Sequence, residues 1–553
     1  MRHETIADLL LARSGDGHAG LRTRERTWTW DEVVRASAAR ARLARESRID
    51  GPFHIGVLLD NVPEYVFWLG AAALSGATIV GVNPTHRGSV LEEEVRHADP
   101  QFIVTDEAGL KLLDGLDVGV PRDRFLLVDG EEYAEAVAAH ACEPSRDPEI
   151  TAGTQLLLLF TSGTTGASKA ARCSQGRLTG LAYANSAKYD VRRHDVTYCC
   201  MPLFHGNAVM ALWAPSLAAG ATVTLTPRFS VSGFLPDVRF YGATFFTYVG
   251  KVIAYVLATP ADPGDADNTL THAFGTEASP EDQAAFLRRF GCRLLEGYGS
   301  SEGAGMIRPV PEAPAGALGR PAHGGVRIVD PETRHTRPPA LLDEHGRVTN
   351  AEEAIGEIVD VDGAARFEGY YKNEAADAER VRHGWYWTGD LGYADEEGYV
   401  YFAGRSGDWI RVDGENVSAL LTERVLRRHP RIVAAAVFAV PDPRSGDQVM
   451  AAIEVAGETS FEDLRLAGFL AGQADLGAKG APRFVRVSYA LPATGSGKLR
   501  KKEMRHDGWR TGDQVYRWAG RGGPEYTLLT DQDRAALRAE FASAGRQRFL
   551  PGI

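Results

Sequence analysis

An aliphatic run, LLLLF at positions 156–160, breaks into TSGTTGASK and ends on Lys169. Gly163 and Gly166 let the backbone approach a ligand closely and adopt positive φ. Successive N–H groups in such a turn converge into a concave, partly positive surface that suits an anion. Thr161, Ser162, Thr164 and Thr165 add hydroxyl donors, and Lys169 adds a point charge; together they suit a polyphosphate. The spacing is not G-x-x-x-x-G-K-[ST], so this is not a Walker A loop. Only nine of the 61 basic residues are lysines, which gives weight to one placed in a Gly/Ser/Thr loop.

Three other stretches extend the chemistry. EGYGSSEG at 296–303 offers Tyr298, whose ring face can stack on a base, and Glu302, a carboxylate able to hold Mg²⁺ beside phosphates. YWTGDLG at 386–392 presents Asp390 after a tight Thr-Gly turn, where it can accept from both ribose hydroxyls, as acidic residues do in dinucleotide folds. GRSGDW at 404–409 supplies Arg405. Taken singly, each has a plainer reading: a solvated glutamate, an Asx-type turn, a surface ion pair. Jointly, a phosphate loop, base stacker, metal carboxylate and ribose carboxylate in one chain point to ATP.

The elements that must position these groups are legible too. FHIGVLLD, ATIVGVNP, QFIVTD and RFLLVDG are short, β-branched and bounded by turn formers, and read as buried strands. PEYVFWLGAAALSG and SVLEEEVRHA between them read as helices. Such alternation predicts an α/β fold, a large N-terminal domain of helix-covered, mostly parallel β-sheets. The turn-rich VDPETRHTRP and PPALLDEHG predict hairpins in a smaller β region. Past residue 403 the texture changes to Gly, Asp and Arg, then a helix (LLTERVLRRHP) and two strands (AAAVFAVP, QVMAAIEV). This predicts a small, mobile α+β C-terminal domain over 409–553, joined to 1–404 by a hinge at 405–408.

Composition excludes several classes. A net charge of −12 argues against a nucleic-acid binder. The five cysteines form no CxxC pair, so neither a zinc site nor a disulfide framework is indicated, and reduced thiols suit a cytoplasmic protein. The uncharged run at 66–82 is short for a membrane span and carries three glycines; it reads as a buried helix, a turn at Gly76 and a buried strand. The N-terminus lacks the apolar core of a signal peptide.

TSGTTGASK, YGSSEG, YWTGDLG, GRSGDW…GEN and PATGSGK occur in the order and rough spacing of the adenylate-forming superfamily, and the chain resembles that superfamily from about residue 60 to 502. Within it, MPLFHGNAVM and the following segments look most like bacterial fatty-acid–CoA ligases of the fatty-acid-transport-protein-like branch, some actinobacterial members of which act on steroid side-chain acids. The resemblance implies ATP, Mg²⁺ and coenzyme A as cofactors and co-substrates, with small molecules as partners. It assigns residues 161–166 to the β- and γ-phosphates, Ser301 to the α-phosphate and Glu302 to the metal. It places Gly275, Thr276, Glu277, Ala278, Tyr298 and Gly299 around adenine, and Asp390 and Arg405 on the ribose. Lys498, in PATGSGK, matches the mobile lysine that bridges the substrate carboxylate and the phosphate oxygens. Gly414, Glu415 and Asn416 form the loop expected to reach the thiol tunnel after the small domain pivots. His205 resembles the residue that walls the acyl pocket. Trp213, Phe245, Tyr248 and Met306 are candidates beside it, with a core role the default. Two departures are mild: GASK lacks the usual proline before lysine, and Ser301 stands where threonine is commoner.

The predicted activity is therefore conversion of a fatty, steroid side-chain or aryl acid to acyl-AMP with release of pyrophosphate, then transfer to coenzyme A. The alternative is an ATP-dependent diazotase, a related architecture that adenylates nitrite and couples it to an aromatic amine without coenzyme A.

Overall fold

Gly76 takes φ 77° and closes the helix Pro63–Ser75, which opens on proline, so the chain turns directly into the strand Thr78–Gly81. That helix is apolar on every side because it lies within the core: Trp68 is completely buried, and Tyr65, Phe67 and Leu69 nearly so. The helix Gly88–Ala98 instead buries one stripe, Leu91, Val95 and Ala98, at i, i+4 and i+7. The computed structural model describes residues 3–550 apart from 163–167, 311–312, 315, 344–347, 406–408, 413–414, 444–446, 474–475, 477–478, 495–496 and 519–524.

The first sheet runs Phe125–Leu127, Phe102–Thr105, His54–Leu58, Thr78–Gly81, Gln155–Ser162 and Ser168–Ser174 in space. Its first five strands are parallel. The last is antiparallel and sets Lys169 opposite Thr161. A second sheet is ordered Arg293–Glu296, His272–Thr276, Phe245–Val249, Val196–Cys199, Thr222–Leu225, Ala19–Arg22 and Thr27–Thr29, parallel except for the last pair. One hydrophobic cluster joins the two sheets through the helices between them. The expected strands and helices of residues 53–130 are all present.

A third sheet, antiparallel, holds Gly356–Asp360, Trp385–Ala394 and Val400–Arg405 at its centre. Among the described residues, the two predicted hairpins beside it show one isolated bridge each, Val329 with Thr336 and Leu342 with Val348, and further backbone bonds join Arg337 to Ile328 and Thr349 to Leu341.

The C-terminal domain has its own core. A five-stranded sheet, Ile432–Pro441, Asp447–Val455, Phe484–Ser488, Gln514–Trp518 and Tyr526–Leu528, is covered on both faces. One face packs on the helix Ala419–Arg427 through Val425 and Leu426. The other packs on Trp509, Leu537 and Phe541 from the chain's last fifty residues. The fold is α/β, with a large N-terminal and a small C-terminal domain.

Candidate active site

The carboxyl ends of the second sheet open onto a cavity of about 2810 Å³ that extends between the two domains. A single-ligand pocket occupies roughly 300–1,000 Å³, so this one has room for a nucleotide and a bulky second substrate together. Crevices at the carboxyl ends of parallel strands are where open α/β sheets bind ligands. Thr276 and Glu296 end neighbouring strands there. Gly275 is obligatory on geometric grounds: a Cβ would meet the Tyr248 ring at 2.4 Å. The bare strand lets the Tyr248 hydroxyl reach across and donate to Glu296 at 2.6 Å, and Ala278 N–H donates to the same oxygen at 3.2 Å. Burial pushes the Glu296 carboxyl up to about 7.

Glu302 is 5% exposed, and Tyr370 donates to it at 2.6 Å. Arg380 donates in turn to the Tyr370 hydroxyl at 3.2 Å and to the Thr388 carbonyl. Burial, with Glu302 adjacent, raises the Tyr370 hydroxyl so that it remains a donor. Ser301 is fixed through its backbone carbonyl, which accepts from Arg177. Its Oγ lies 3.1 Å from where a Cβ on Gly206 would sit, so glycine at 206 keeps that hydroxyl in place.

Tyr298 donates to Asp390 at 2.7 Å, and Asp390 pairs across the sheet with Arg405. Lys169, buried, forms an ion pair with the more exposed Glu379 at 2.9 Å. Lys498 comes from the small domain. Its backbone is held in a tight turn, Lys498 N–H donating to Thr494 Oγ at 3.1 Å and Thr494 N–H to the Lys498 carbonyl at 2.7 Å. Its side chain is about half exposed, lines the same cavity and approaches Glu277 at 3.8 Å. His205 lies on that wall with Nε2 buried and unpartnered among the described residues. Burial first, then the positive charges of Lys498 and His86, push its imidazole down to about 4, so it is neutral at ordinary pH.

The structure thus brings Lys169, Thr276, Glu277, Ala278, Tyr298, Gly299, Ser301, Glu302, Asp390, His205 and Lys498 to one cleft. Thr161 also lines it, and Gly275 sits one residue below its rim. Gly163, Thr164, Thr165, Gly166 and Gly414 lie outside the described residues. Of Ser162, Arg405, Glu415 and Asn416 only the backbone is described. Trp213, Phe245 and Tyr248 are core residues, each at most 1% exposed, while Met306 lines the cleft.

Sequence reasoning missed Tyr370, Arg380, Glu379 and Arg177. The signal for the first three was GYYKNEAADAER at 369–380, where Asn373 caps a short helix that ends on Arg380, ten residues before Asp390.

Two family models match the chain: AMP-binding enzyme over residues 11–371 and AMP-binding enzyme C-terminal domain over residues 421–498. The chain belongs to the AMP-binding enzyme family and is an adenylate-forming enzyme. It is 66% identical over 551 residues to the steroid-22-oyl-CoA synthetase of Rhodococcus jostii (strain RHA1), covering 100% of this chain and 99% of that protein. It is 42% identical over 517 residues to a medium/long-chain-fatty-acid–CoA ligase of Mycobacterium tuberculosis, covering 93% and 98%. Among solved structures, the anthranilate CoA ligase AuaEII in complex with anthranoyl-AMP superposes with a TM-score of 0.77 at 20% identity, over 91% of this chain and 97% of that one. At that identity the likeness speaks for the fold. Among the described residues, no helix is long and apolar enough to cross a membrane.

Proposed function

We propose that the protein activates the side-chain carboxylate of a steroid acid as acyl-AMP and passes the acyl group to coenzyme A, releasing pyrophosphate and AMP. The observation that carries this reading is 66% identity along the full chain to a steroid-22-oyl-CoA synthetase. A cavity large enough for a fused-ring acid beside a nucleotide supports it. A medium- or long-chain fatty acid is the second reading, favoured by the mycobacterial relative. The CoA-ligase names of both relatives favour thiol transfer over the nitrite-activating alternative.

In the first half-reaction a carboxylate oxygen attacks the α-phosphorus and the bond to the pyrophosphate oxygen breaks. Such displacements depend on positioning and charge neutralisation. Lys498 would neutralise charge between the carboxylate and the α-phosphate, and Lys169 with Thr161 and the turn beyond it would hold the β- and γ-phosphates. Asp390 and Arg405 would fix the ribose, with Tyr298 and residues 275–278 against the base. Glu302, one carboxylate held by Tyr370, fits the donor set of Mg²⁺, which takes one or two carboxylates plus phosphate oxygens. When bound, that ion supplies further neutralisation of phosphate charge. Neutral His205 would close the acyl side without repelling a cation. In the second half-reaction the thiol sulfur attacks the acyl carbon, its proton is lost and AMP leaves. Residues 414–416 would reach the thiol after the small domain turns about 405–408. The five cysteines, free in the structure, suit a reducing cytoplasm.

The test is pyrophosphate and AMP release with a C22 steroid acid, with and without coenzyme A, against a long-chain fatty acid and against nitrite with an aminoaryl acid. Steroid acyl-CoA formation dependent on coenzyme A is expected. Turnover only with nitrite and the amine would overturn the reading.

A further inference from the structure

The helix Gln175–Lys188 begins at the reaction centre and ends away from it. Arg177, in its first turn, donates to the backbone carbonyl of Ser301. Lys188, eleven residues later, closes the last turn, about 16 Å further along the axis. Leu181, Asn185 and Lys188 recur at i, i+4 and i+7, and all three line the cavity that holds Ser301 and His205. Asn185, buried, donates to the Met210 carbonyl at 2.9 Å, which ties this helix face to the segment following His205.

Lys188 has an unusual setting. Its ammonium stands 5.3 Å from the Tyr189 ring centre and 5.1 Å from that of Phe274, and the two rings stack at 4.2 Å. Among the described residues no carboxylate pairs with it, and burial alone lowers its pKa, to about 8. Taking an ammonium group partly out of water without a counter-ion is costly, and leucine or methionine would fill a packing role there at less cost. Two aromatic faces offset part of that cost, and no protein oxygen among the described residues accepts from the ammonium.

We propose that Lys188 is a specificity-determining residue that donates a hydrogen bond to a keto or hydroxyl oxygen at the end of the acid substrate remote from its carboxylate. This rests on the acid-ligase reading above. A steroid side-chain acid carries its ring oxygen at the end opposite the carboxylate. The helix carries Lys188 about 16 Å along its axis from Arg177, the residue that contacts Ser301. A simple fatty acid has no such acceptor, so on filling the cavity it would displace water from the ammonium without replacing its hydrogen bond.

The experiment compares two steroid acids that differ only in a ring-A ketone, the 3-oxo acid and its 3-deoxy analogue. Binding to the full-length enzyme is measured by calorimetry, and turnover by pyrophosphate release. Wild type is expected to bind the oxo acid about 10- to 100-fold more tightly, the range of a hydrogen bond from a charged donor. Lys188→Met is expected to erase that ratio by weakening the oxo acid while the deoxy acid binds as well or better. Equal wild-type affinities, no binding of either acid, or an equal loss for both acids in the variant would overturn the assignment. The wild-type ratio needs no variant, so misfolding of Lys188→Met leaves the test standing. Binding with the expected ratio but no pyrophosphate release would fault the ligase reading and not the role of Lys188.

Discussion

Lys498 of the small domain stands 3.8 Å from the carboxylate of Glu277 in the large domain. The same residue is touched a second time: Arg427 donates to its backbone carbonyl at 3.3 Å. Glu277 follows the strand His272–Thr276 and takes φ 76°, in the left-handed region. The turn that would border adenine is thus also the surface on which the small domain rests, and Lys498 is held at the mouth of the cleft.

Both partners of that contact are about half exposed, so it holds Lys498 only weakly. An exposed pair contributes up to about 1 kcal/mol, roughly a fivefold effect. Glu277→Gln is therefore expected to change the adenylation rate by less than about fivefold, measured by pyrophosphate release. A hundredfold loss would mean that Glu277 takes part in the chemistry.

Glu302 and Tyr370 are expected to separate by magnitude. Glu302→Gln should slow adenylation by about 100- to 1,000-fold, as losing one charge-stabilising contact does, and should raise the magnesium concentration needed for half-maximal rate. Tyr370→Phe leaves the carboxylate but removes its donor, together with an acceptor of Arg380, and should cost about 1.5–3 kcal/mol. A magnesium titration of pyrophosphate release checks both; equal losses, with equal shifts in magnesium requirement, would contradict the separate metal-holding role of the carboxylate.

Glu296 makes stability fall as pH rises. Its folded carboxyl is lifted from the usual 4.5 to about 7 by burial. Between those values the folded state holds a proton that the unfolded state has lost, so unfolding free energy declines with pH across that window. Glu296→Gln keeps an acceptor for Tyr248 and Ala278 and removes the ionisation. Its melting temperature relative to wild type should climb between about pH 5 and pH 8. A difference independent of pH would contradict this.

The last fifty residues are structural. Phe541 is completely buried, with its ring centre 6.1 Å from that of Trp509. Phe541→Ala should destabilise the small domain by about 3–5 kcal/mol, seen as an early transition in urea. An unfolding curve that matches wild type would show the tail to be dispensable.

What was legible in the sequence had a period or a local motif. The parallel strands of residues 53–130 announced themselves as β-branched runs between turn formers, and the Lys498 turn as Pro492, Thr494 and Gly497. What escaped were pairings between residues far apart. Tyr370 with Glu302, Lys169 with Glu379 and Tyr248 with Glu296 are separated by 68, 210 and 48 positions. No periodicity marks such pairs, because the side chains meet only once distant segments have assembled, within the second sheet for Tyr248 and Glu296 and between separate elements for the other two. Tyr298 shows the same limit: its sequence setting suggests a base stacker, whereas its hydroxyl bond to Asp390, 92 positions on, leaves no local signal.

The central claim is that Lys498 and the phosphate-binding turn act on one nucleotide, and Lys498→Ala tests it most directly. With ATP binding followed by calorimetry and adenylation by pyrophosphate release, the variant should bind ATP as wild type does and form acyl-AMP about 100- to 1,000-fold more slowly. Adenylation at the wild-type rate would contradict the account.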